Sequence, residues 1–275
     1  MLSRLDSRDF MINPLKTLEI NRFKLRHPRI SSDLEGALVA QVTDVHMGRW
    51  VKAQHMRQVV SYVNAQKPDV VALTGDYVGY SKLDLDPCVA EFRAFDSPAF
   101  AVLGNHDHWT STELARQAFQ KYEVPLLTNE NLVLNLRGVD ISLVGVDDLV
   151  TKHADVPKAF DGVDPEQFCL TLNHVPAASW DCADHGAHLI LSGHTHGFQF
   201  NIPRLTNALA ERMGTKLFAG PYILENAVLY ISRGLGSASW PWRIRAKPEL
   251  TFFELSYGPH PELELISSAN ESVVR

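Results

Sequence analysis

Apolar runs that alternate with helical patterns constrain the fold of this 275-residue chain more than any other feature. Strand-like runs, each ending in a cluster of polar residues, cover residues 37–42, 69–73 and 99–103. Helical patterns lie between and after them at residues 52–66, 87–95 and 111–122. Thr110 is a plausible N-cap of the third helix. Strands and helices at this spacing predict parallel βαβ units whose strands are buried on both faces.

The second half of the chain has a different pattern, with short strands and few helices. The predicted strands cover residues 132–136, 141–146, 168–172, 188–191, 228–232 and 250–255. They indicate a second sheet that packs on the first and has more antiparallel character. Within residues 198–226, a small cap helix is suggested by four apolar residues on one helical face, Leu205, Ala208, Leu209 and Met213. No repeat or low-complexity linker interrupts the sequence, so we predict a single domain over residues 1–275.

Composition excludes several classes of protein. A hydrophobic content of 45% and a charged content of 21% are typical of a globular protein. The net charge of −6 argues against a nucleic-acid coat protein, and we expect no stable nucleic-acid binding. Three cysteines without CxxC spacing favour a reducing compartment over a disulfide framework. No apolar run approaches the roughly 20 residues of a membrane-spanning helix.

The first thirty residues form a basic arm. Lysines and arginines give this arm a charge of +4 and leave −10 on the remainder of the chain. The arm could contact an anionic membrane surface weakly. The alternative is an ordinary edge strand over residues 18–25, in which basic side chains discourage aggregation. Because the arm lacks an apolar segment and a small-residue cleavage site, we expect a cytoplasmic protein, with a peripheral position at the inner membrane surface as the alternative.

Side chains that bind metal ions follow five of the predicted strands. In chain order they are Asp44 and His46, then Asp76, then Asn105 with His106, then His174, and finally His194 with His196. The carboxyl ends of parallel strands meet at one edge of a sheet, so we expect these side chains to lie together. One such histidine alone is more often structural, but structural histidines have no reason to collect at one edge. Glycines directly before Asp76, Asn105 and His194 permit close approach of the backbone.

The number and type of these donors exceed what one metal ion needs. Mixed nitrogen and oxygen ligands favour two divalent ions such as Mn²⁺, Fe²⁺ or Zn²⁺ over Ca²⁺ or Mg²⁺. Asp76 is central in the chain order and is the natural bridge between two ions. The sequence therefore predicts a dinuclear metal centre.

Five short blocks resemble those of the calcineurin-like metallophosphoesterases, in the same order and over residues 37–197. The blocks are Asp44-Val45-His46, Gly75-Asp76, Gly104-Asn105-His106-Asp107, Asn173-His174 and Gly193-His194-Thr195-His196. The sequence around them is similar to the bacterial YkuE-like branch and to the enzymes that cleave UDP-2,3-diacylglucosamine. This resemblance implies an α/β fold, a four-layer αββα sandwich of two mixed sheets flanked by helices.

The resemblance also implies roles for individual residues. One metal ion would be held by Asp44, His46, Asp76 and His196. The second would be held by Asp76, Asn105, His174 and His194. His106 would contact the phosphoryl oxygen and protonate the leaving group, Asp107 would orient His106, and a metal-bridging hydroxide would attack.

The implied substrate is a phosphate-ester small molecule or a lipid-linked compound, with a phosphodiester or pyrophosphate bond favoured over a monoester. One alternative is a lipid pyrophosphatase of the UDP-2,3-diacylglucosamine type at the membrane surface. The other is a non-catalytic scaffold that binds metal ions for structure or for partner docking. The number of subunits is left open.

Some residues near the motifs have ambiguous roles. Phe198 stands where the family pattern usually has a glycine, and it would narrow the site or add a stacking surface. Trp240-Pro241-Trp242 and the cap segment would line an acyl groove or complete a core. Three arginines in loops would contact phosphate or remain exposed: Arg49, Arg233 and Arg243.

Other histidines lack a clear place in the metal centre. His108 lies two residues after His106 and would support the centre or be exposed. Five more are predicted to be solvated because they follow no strand: His55, His153, His185, His188 and His260.

Overall fold

The computed structural model describes residues 14–199, 217–237, 240, 242–270 and 273. Within these ranges the chain forms two mixed sheets of six strands each with flanking helices, an α/β sandwich. The predicted cap helix at residues 205–213 and the first thirteen residues of the basic arm lie outside the described residues.

The first sheet contains strands from both ends of the described chain. Its members are β1 (Glu19–His27), β2 (Leu38–Val42), β3 (Val70–Thr74), β4 (Ala99–Val102), β11 (Glu249–Tyr257) and β12 (Glu262–Asn270). Their order is β12-β1-β11-β2-β3-β4, and β2, β3 and β4 are parallel neighbours. Every residue of β2 and β3 is buried, as expected for strands that are covered on both faces.

The predicted edge strand at residues 18–25 is not at an edge. β1 pairs with β11 on one side and with β12 on the other, so that prediction is wrong and β12 is the edge strand. The basic side chains of β1 contact acidic neighbours: Lys24 Nζ lies 3.1 Å from Glu254, and Arg26 lies 2.6 Å from Glu264 of β12. These pairs offset part of the charge of the arm, and weak membrane contact through the arm stays a prediction.

The second sheet has the strand order β5-β6-β7-β8-β10-β9. Its strands are β5 (Glu130–Leu136), β6 (Val139–Val146), β7 (Cys169–Asn173), β8 (Leu189–Ser192), β9 (Gly220–Leu224) and β10 (Ala227–Ile231). The four central strands are parallel, and only the two edge strands pair antiparallel. The prediction of more antiparallel character is therefore wrong, since the first sheet has the same balance of pairings. Residues 250–255 belong to β11 of the first sheet.

Helices cover the outer face of each sheet and complete four layers. The longer ones, α1 (Ala53–Gln66), α2 (Leu85–Phe92) and α3 (Asn105–Lys121), pack on the first sheet, and the short α4 (Val156–Ala159) and α5 (Ser179–Asp184) pack on the second. Between the sheets lies an apolar cluster that includes Phe23, Val39, Leu143, Leu170 and Phe253. The predicted sandwich is confirmed. In the described ranges, no helix combines the length and the apolar content needed to cross a bilayer.

α3 begins earlier than the sequence predicts and consists of two segments. Gly104 is its N-cap, and extended backbone at Ser111 (φ −179°, ψ 105°) divides it. The Ser111 hydroxyl accepts a hydrogen bond from Leu114 N at 3.3 Å and so caps the second segment. The predicted N-cap, Thr110, is therefore displaced by one residue. The short first segment begins with Asn105 and His106.

Candidate metal centre

All predicted ligand residues lie at the carboxyl ends of parallel strands, and both sheets contribute. β2, β3 and β4 of the first sheet lead into Asp44, His46, Asp76 and Asn105, and β7 and β8 of the second lead into His174, His194 and His196. Hydrogen bonds join the sheets at this edge. Gln41 Nε2 donates to the carbonyl of Ser192 at 3.0 Å, and His174 Nδ1 donates to the carbonyl of Thr74 at 2.7 Å. The strand-end pattern thus places these side chains as expected.

Most of the ligand residues have left-handed backbone conformations, which are uncommon for residues other than glycine. The φ angles are 49° at Asp44, 45° at His46, 56° at Asp76, 70° at His194 and 51° at His196. Such conformations cost about 1–3 kcal/mol each and persist only where the surrounding structure fixes them. The backbone at this edge is therefore strained in order to turn these side chains toward one another.

Glycines make room for two of the carboxylates. A Cβ atom at Gly193 would overlap the Asp44 carboxylate, and one at Gly104 would overlap that of Asp76. One at Gly75 would collide with the backbone of Gly104 and with the His174 ring. The predicted reason for these three glycines, close approach of the backbone, agrees with the structure.

The first group of potential ligands contains Asp44, His46 and His196. His46 Nε2 lies 3.0 Å from His196 Nε2, and Asp44 Oδ1 lies 3.4 Å from His196 Nε2 and 3.9 Å from His46 Nε2. Two imidazole nitrogens and a carboxylate oxygen that point at one place are a typical donor set for a borderline divalent cation.

The second group contains Asp76, His174 and His194, with Asn105 beside it. Three buried atoms here have no hydrogen-bond partner within the described part of the chain: His174 Nε2, His194 Nδ1 and Asn105 Oδ1. A buried polar atom without a partner is costly, so three of them on predicted ligands indicate that something else satisfies them. A divalent cation fits this requirement.

Asp76 lies between the two groups. Its Oδ2 is 3.6 Å from His46 Nε2 of the first group and 3.3 Å from His174 Nε2 of the second. Its Oδ1 accepts a hydrogen bond from His106 N at 2.8 Å. This position is consistent with the predicted bridging role, and the assignment of ligands to each ion stays a prediction.

Burial keeps several ligand histidines neutral. It lowers the pKa of His46 to about 3, and burial together with the charge of His174 lowers the pKa of His194 to about 4. The pKa of His196 is also lowered, by burial and then by His46. Neutral imidazoles offer lone pairs, so at neutral pH these rings need not lose a proton to bind a cation.

Asp76 and His174 differ from these neutral histidines, because each favours the charged form of the other. Burial, the largest single influence, would raise the pKa of Asp76, but His174, His46 and His106 together lower it below its usual range. Burial alone would lower the pKa of His174, but Asp76 and Asp44 raise it to about 10. A positive charge is thus stabilised here, and a bound cation would supply the charge that a proton on His174 otherwise supplies.

His106 is oriented differently from the prediction. Its Nδ1 lies 2.7 Å from the carbonyl of Gly79, which leaves Nε2 as the nitrogen available for chemistry. The carboxylate of Asp107 instead accepts hydrogen bonds from the backbone amides of Asp76, Tyr77 and Gly104, at 2.9 to 3.0 Å. The predicted orientation of His106 by Asp107 is therefore wrong. Asp107 is the third residue of α3, where a carboxylate satisfies amides at the helix start.

All three loop arginines have partners within the chain, and two of them lie apart from the predicted ligands. Arg233 contacts Glu19 at 2.8 Å and Glu249 at 2.6 Å, and the guanidinium of Arg49 lies 4.6 Å from the ring centre of Trp50. Arg233 thus belongs to an internal ion pair network and not to a phosphate site.

Arg243 is directly beside the metal centre. Its Nη2 lies 3.1 Å from His196 Nδ1, and its Nη1 donates to the carbonyl of Arg233 at 2.6 Å. Burial lowers its pKa to about 10, so the guanidinium keeps its charge at neutral pH. It holds the ring of His196 in place, a role that sequence reasoning did not assign.

Sequence reasoning missed a further strand end. Asp147 and Asp148 directly follow β6, and both are buried. His108 Nε2 lies 2.6 Å from Asp147 Oδ1, and its Nδ1 lies 2.9 Å from Thr112 Oγ1. The pair ties the start of α3 to the second sheet. The rule that found the other ligand residues, polar residues after a buried strand, would also have identified Asp147.

The aromatic residues near the centre differ in exposure. The Phe198 ring is half-buried and packs against Phe218, with ring centres 5.6 Å apart. Trp240 and Trp242 stack on each other at 5.8 Å and are both more than half exposed, so they do not complete a core. Pro241 lies outside the described residues. An acyl groove formed with the cap segment stays a prediction.

Curated relatives match most of the chain. An uncharacterized metallophosphoesterase of Bacillus subtilis (strain 168), YkuE, is 26% identical over 244 residues, which is 86% of this chain and 85% of the relative. Phosphodiesterase YaeI of Escherichia coli (strain K12) is 29% identical over 78% of this chain and 80% of its own length. UDP-2,3-diacylglucosamine pyrophosphatase LpxG of Chlamydia trachomatis is 26% identical over 88% of this chain and 90% of its own length.

A solved structure shares the fold. The crystal structure of TT1561 of Thermus thermophilus aligns with a TM-score of 0.50 at 12% identity, over 73% of this chain and 91% of that one. A family model described as calcineurin-like phosphoesterase matches residues 37–198, more than half of the chain and the whole range from β2 to the last predicted ligand. With two groups of His and Asp donors at the strand ends inside that range, the chain belongs to the calcineurin-like phosphoesterase family.

Proposed function

We propose that the chain hydrolyses a phosphodiester or pyrophosphate bond with the help of two divalent metal ions. The observation that supports this most directly is the pair of donor groups around Asp76, with three orphaned ligand atoms on one side. Mixed imidazole and carboxylate donors favour Mn²⁺, Fe²⁺ or Zn²⁺. Two such ions, when bound, lower the pKa of a water molecule and stabilise the negative charge that develops on the phosphoryl oxygens.

His106 is suited to the proton transfer that hydrolysis requires. Attack by a water-derived oxygen forms one P–O bond and breaks the P–O bond to the leaving group, whose oxygen must take up a proton. Because His106 Nδ1 is held by Gly79, its Nε2 is the atom that would donate this proton. The products are a phosphomonoester and an alcohol from a phosphodiester, or two phosphomonoesters from a pyrophosphate that carries a substituent at each end.

The relatives favour a diester over a monoester only by analogy. YaeI, named a phosphodiesterase, is 29% identical to this chain. A second candidate is a lipid-linked pyrophosphate, supported by the similarity to LpxG and by the exposed Trp240 and Trp242 near Arg243. A non-catalytic scaffold is the weakest alternative, because such a protein needs neither the full donor set nor His106.

The test is hydrolysis of bis(p-nitrophenyl) phosphate by protein loaded with Mn²⁺. We expect Asp76→Ala to lower kcat/KM by at least about a thousandfold, since both donor groups lose their shared carboxylate. His106→Ala should lower kcat by about a hundredfold or more while the metal content stays near that of the parent. His185→Ala, an exposed histidine, is the matched control.

Full activity in Asp76→Ala would contradict the proposal. A panel of nucleotide diesters, cyclic nucleotides, UDP-acylglucosamines and phosphomonoesters then separates the substrate classes. Preference for the acylated compounds would favour the second candidate, and two bound ions without turnover on any substrate would favour the scaffold.

A further inference from the structure

Two exposed aromatic side chains flank His106. The ring centre of Tyr80 lies 5.0 Å from that of His106, and the ring centre of Trp109 lies 5.1 Å from it. Both contacts are edge-on, with interplanar angles of 64° and 62°. The two residues are 68% and 61% exposed. Single exposed aromatics are ordinary on a protein surface, but here two of them touch the same catalytic imidazole.

The chain holds these three rings as one unit. Tyr80 directly follows Gly79, whose carbonyl binds His106 Nδ1. Trp109 follows His106 by three residues in the first segment of α3, so both side chains lie on the same face of that helix. The positions of the aromatic rings relative to His106 are therefore set by the same contacts that orient the imidazole.

The surroundings of His106 define the direction of the leaving group. On its inner side the buried ring of His46 lies 4.8 Å away, and the metal ligands follow behind it. On its outer side lie Tyr80 and Trp109, which face solvent. A leaving group bound beside His106 lies within reach of both rings, whose centres are 5.0 and 5.1 Å from that of the imidazole.

We propose that Tyr80 and Trp109 form a subsite that selects a leaving group with a planar aromatic ring, such as an aryl or nucleoside alcohol. This inference rests on the proposed function, because it requires that the leaving group of a hydrolysed phosphate ester lies beside His106. Aromatic rings bind other planar rings by stacked or edge-on contacts and do so with little dependence on their substituents. A flexible alkyl leaving group gains much less from the same two surfaces.

The test compares two substrates that differ only in the leaving group, p-nitrophenyl methyl phosphate and trifluoroethyl methyl phosphate, with the Mn²⁺-loaded protein. The measured quantity is the ratio of kcat/KM for the aryl ester to kcat/KM for the alkyl ester. We expect Trp109→Ala to lower this ratio about tenfold and Tyr80→Ala to lower it about threefold to tenfold. Trp109→Phe keeps an aromatic ring and should restore most of the ratio.

Trp180→Ala is the matched control, because Trp180 is also about half exposed but lies near the β9–β10 turn, at the opposite edge of the sheets. It should leave the ratio within about twofold of the parent value. Equal losses on both substrates in Trp109→Ala, or no loss on either, would overturn the subsite. If the unmodified protein hydrolyses neither these diesters nor any compound of the substrate panel, the proposed function itself fails, so the two failures are distinguishable.

Discussion

Histidines lie at both edges of the two sheets, and their ring nitrogens are used differently at each edge. At the carboxyl ends of β7 and β8, His174 Nε2 and His194 Nδ1 are buried without a hydrogen-bond partner in the described ranges. At the carboxyl ends of β2 and β8, the Nε2 atoms of His46 and His196 face each other at 3.0 Å. The first two nitrogens thus have no partner, and the other two contact each other and not the backbone.

At the opposite edge, both nitrogens of His27 and the Nδ1 of His188 are occupied by the backbone. His27 Nδ1 accepts a hydrogen bond from Arg29 N at 3.1 Å, and its Nε2 lies 2.8 Å from the carbonyl of Asn226. His188 Nδ1 accepts a hydrogen bond from Cys169 N at 2.9 Å. The prediction that His188 is solvated is therefore wrong, since its ring is half-buried against His27.

The comparison shows that burial alone does not distinguish a functional histidine from a structural one. The pKa of His188 is lowered to about 3, as is that of His46, because both rings are desolvated. What differs is whether the ring nitrogens already have partners. A buried imidazole whose nitrogens are satisfied stabilises the fold, and one whose nitrogens are not is available to a ligand.

Among the tests of this comparison, the largest expected effect is at the buried ligand atoms without a hydrogen-bond partner. Asn105→Ala removes one of the three atoms without a partner, and we expect the protein to lose one of two metal ions per chain and at least about a hundredfold in kcat/KM. Metal analysis by mass spectrometry after gel filtration checks the first and steady-state kinetics the second. Asn135→Ala, at an exposed position near the end of β5, is the control. Two tightly bound ions in Asn105→Ala would show that the orphaned atoms do not mark a metal position.

Substitution of His108 should have a smaller effect, on stability and not on metal binding. It lies two residues from His106, but both of its nitrogens have partners, Asp147 and Thr112. We expect His108→Gln to lower the free energy of unfolding of the metal-free protein by about 1–3 kcal/mol, because Asp147 loses a charge-assisted partner while buried. Urea unfolding measures this change. Loss of a metal ion with unchanged stability would show instead that His108 supports metal binding, as the histidines at the metal centre do.

His188 gives the smallest effect, through pH. Burial, then His27 and Arg29, lower its pKa in the folded state to about 3, whereas an unfolded chain has a pKa of about 6.5. Between these values the unfolded chain binds a proton that the folded chain does not, so stability is full above about pH 6.5 and falls as the pH decreases toward 3. We expect His188→Gln to reduce the number of protons taken up on unfolding in this pH range by about one, and so to reduce the slope of stability with pH.

Urea unfolding of the metal-free protein between about pH 4 and about pH 7 measures that slope. His260→Gln, at an exposed position, is the control and should leave the slope as it is in the parent. An unchanged slope in His188→Gln would mean that His188 is not a buried neutral histidine in solution.

The sequence was sufficient to predict the strand ends, because the apolar run of each strand and the polar residue after it are neighbours in sequence. A short apolar run, a glycine and a metal-binding residue follow one another, as in Leu73, Gly75 and Asp76. The same logic extends to Asp147, which directly follows Val146 at the end of β6.

Other features depend on residues that are distant in sequence. β12 begins with an alternating run, Glu262-Leu263-Glu264-Leu265, but almost none of its residues is buried. Its pairing with β1 joins Arg26 to Glu264 across 238 residues. The role of Asp107 depends on the turn after β3, which brings the amides of Asp76 and Tyr77 to its carboxylate. Neither arrangement has a local signal.

The left-handed backbone at the ligand residues has a consequence for how such a protein changes over time. Glycine adopts the conformation of Asp44, His46 or His196 without the steric cost that these residues carry. Replacement of any of them by glycine would therefore relieve strain in the metal-free chain and remove a ligand in the same step. The backbone strain is thus a cost that the metal-free chain carries at its ligand residues, and selection for metal binding retains these residues against it.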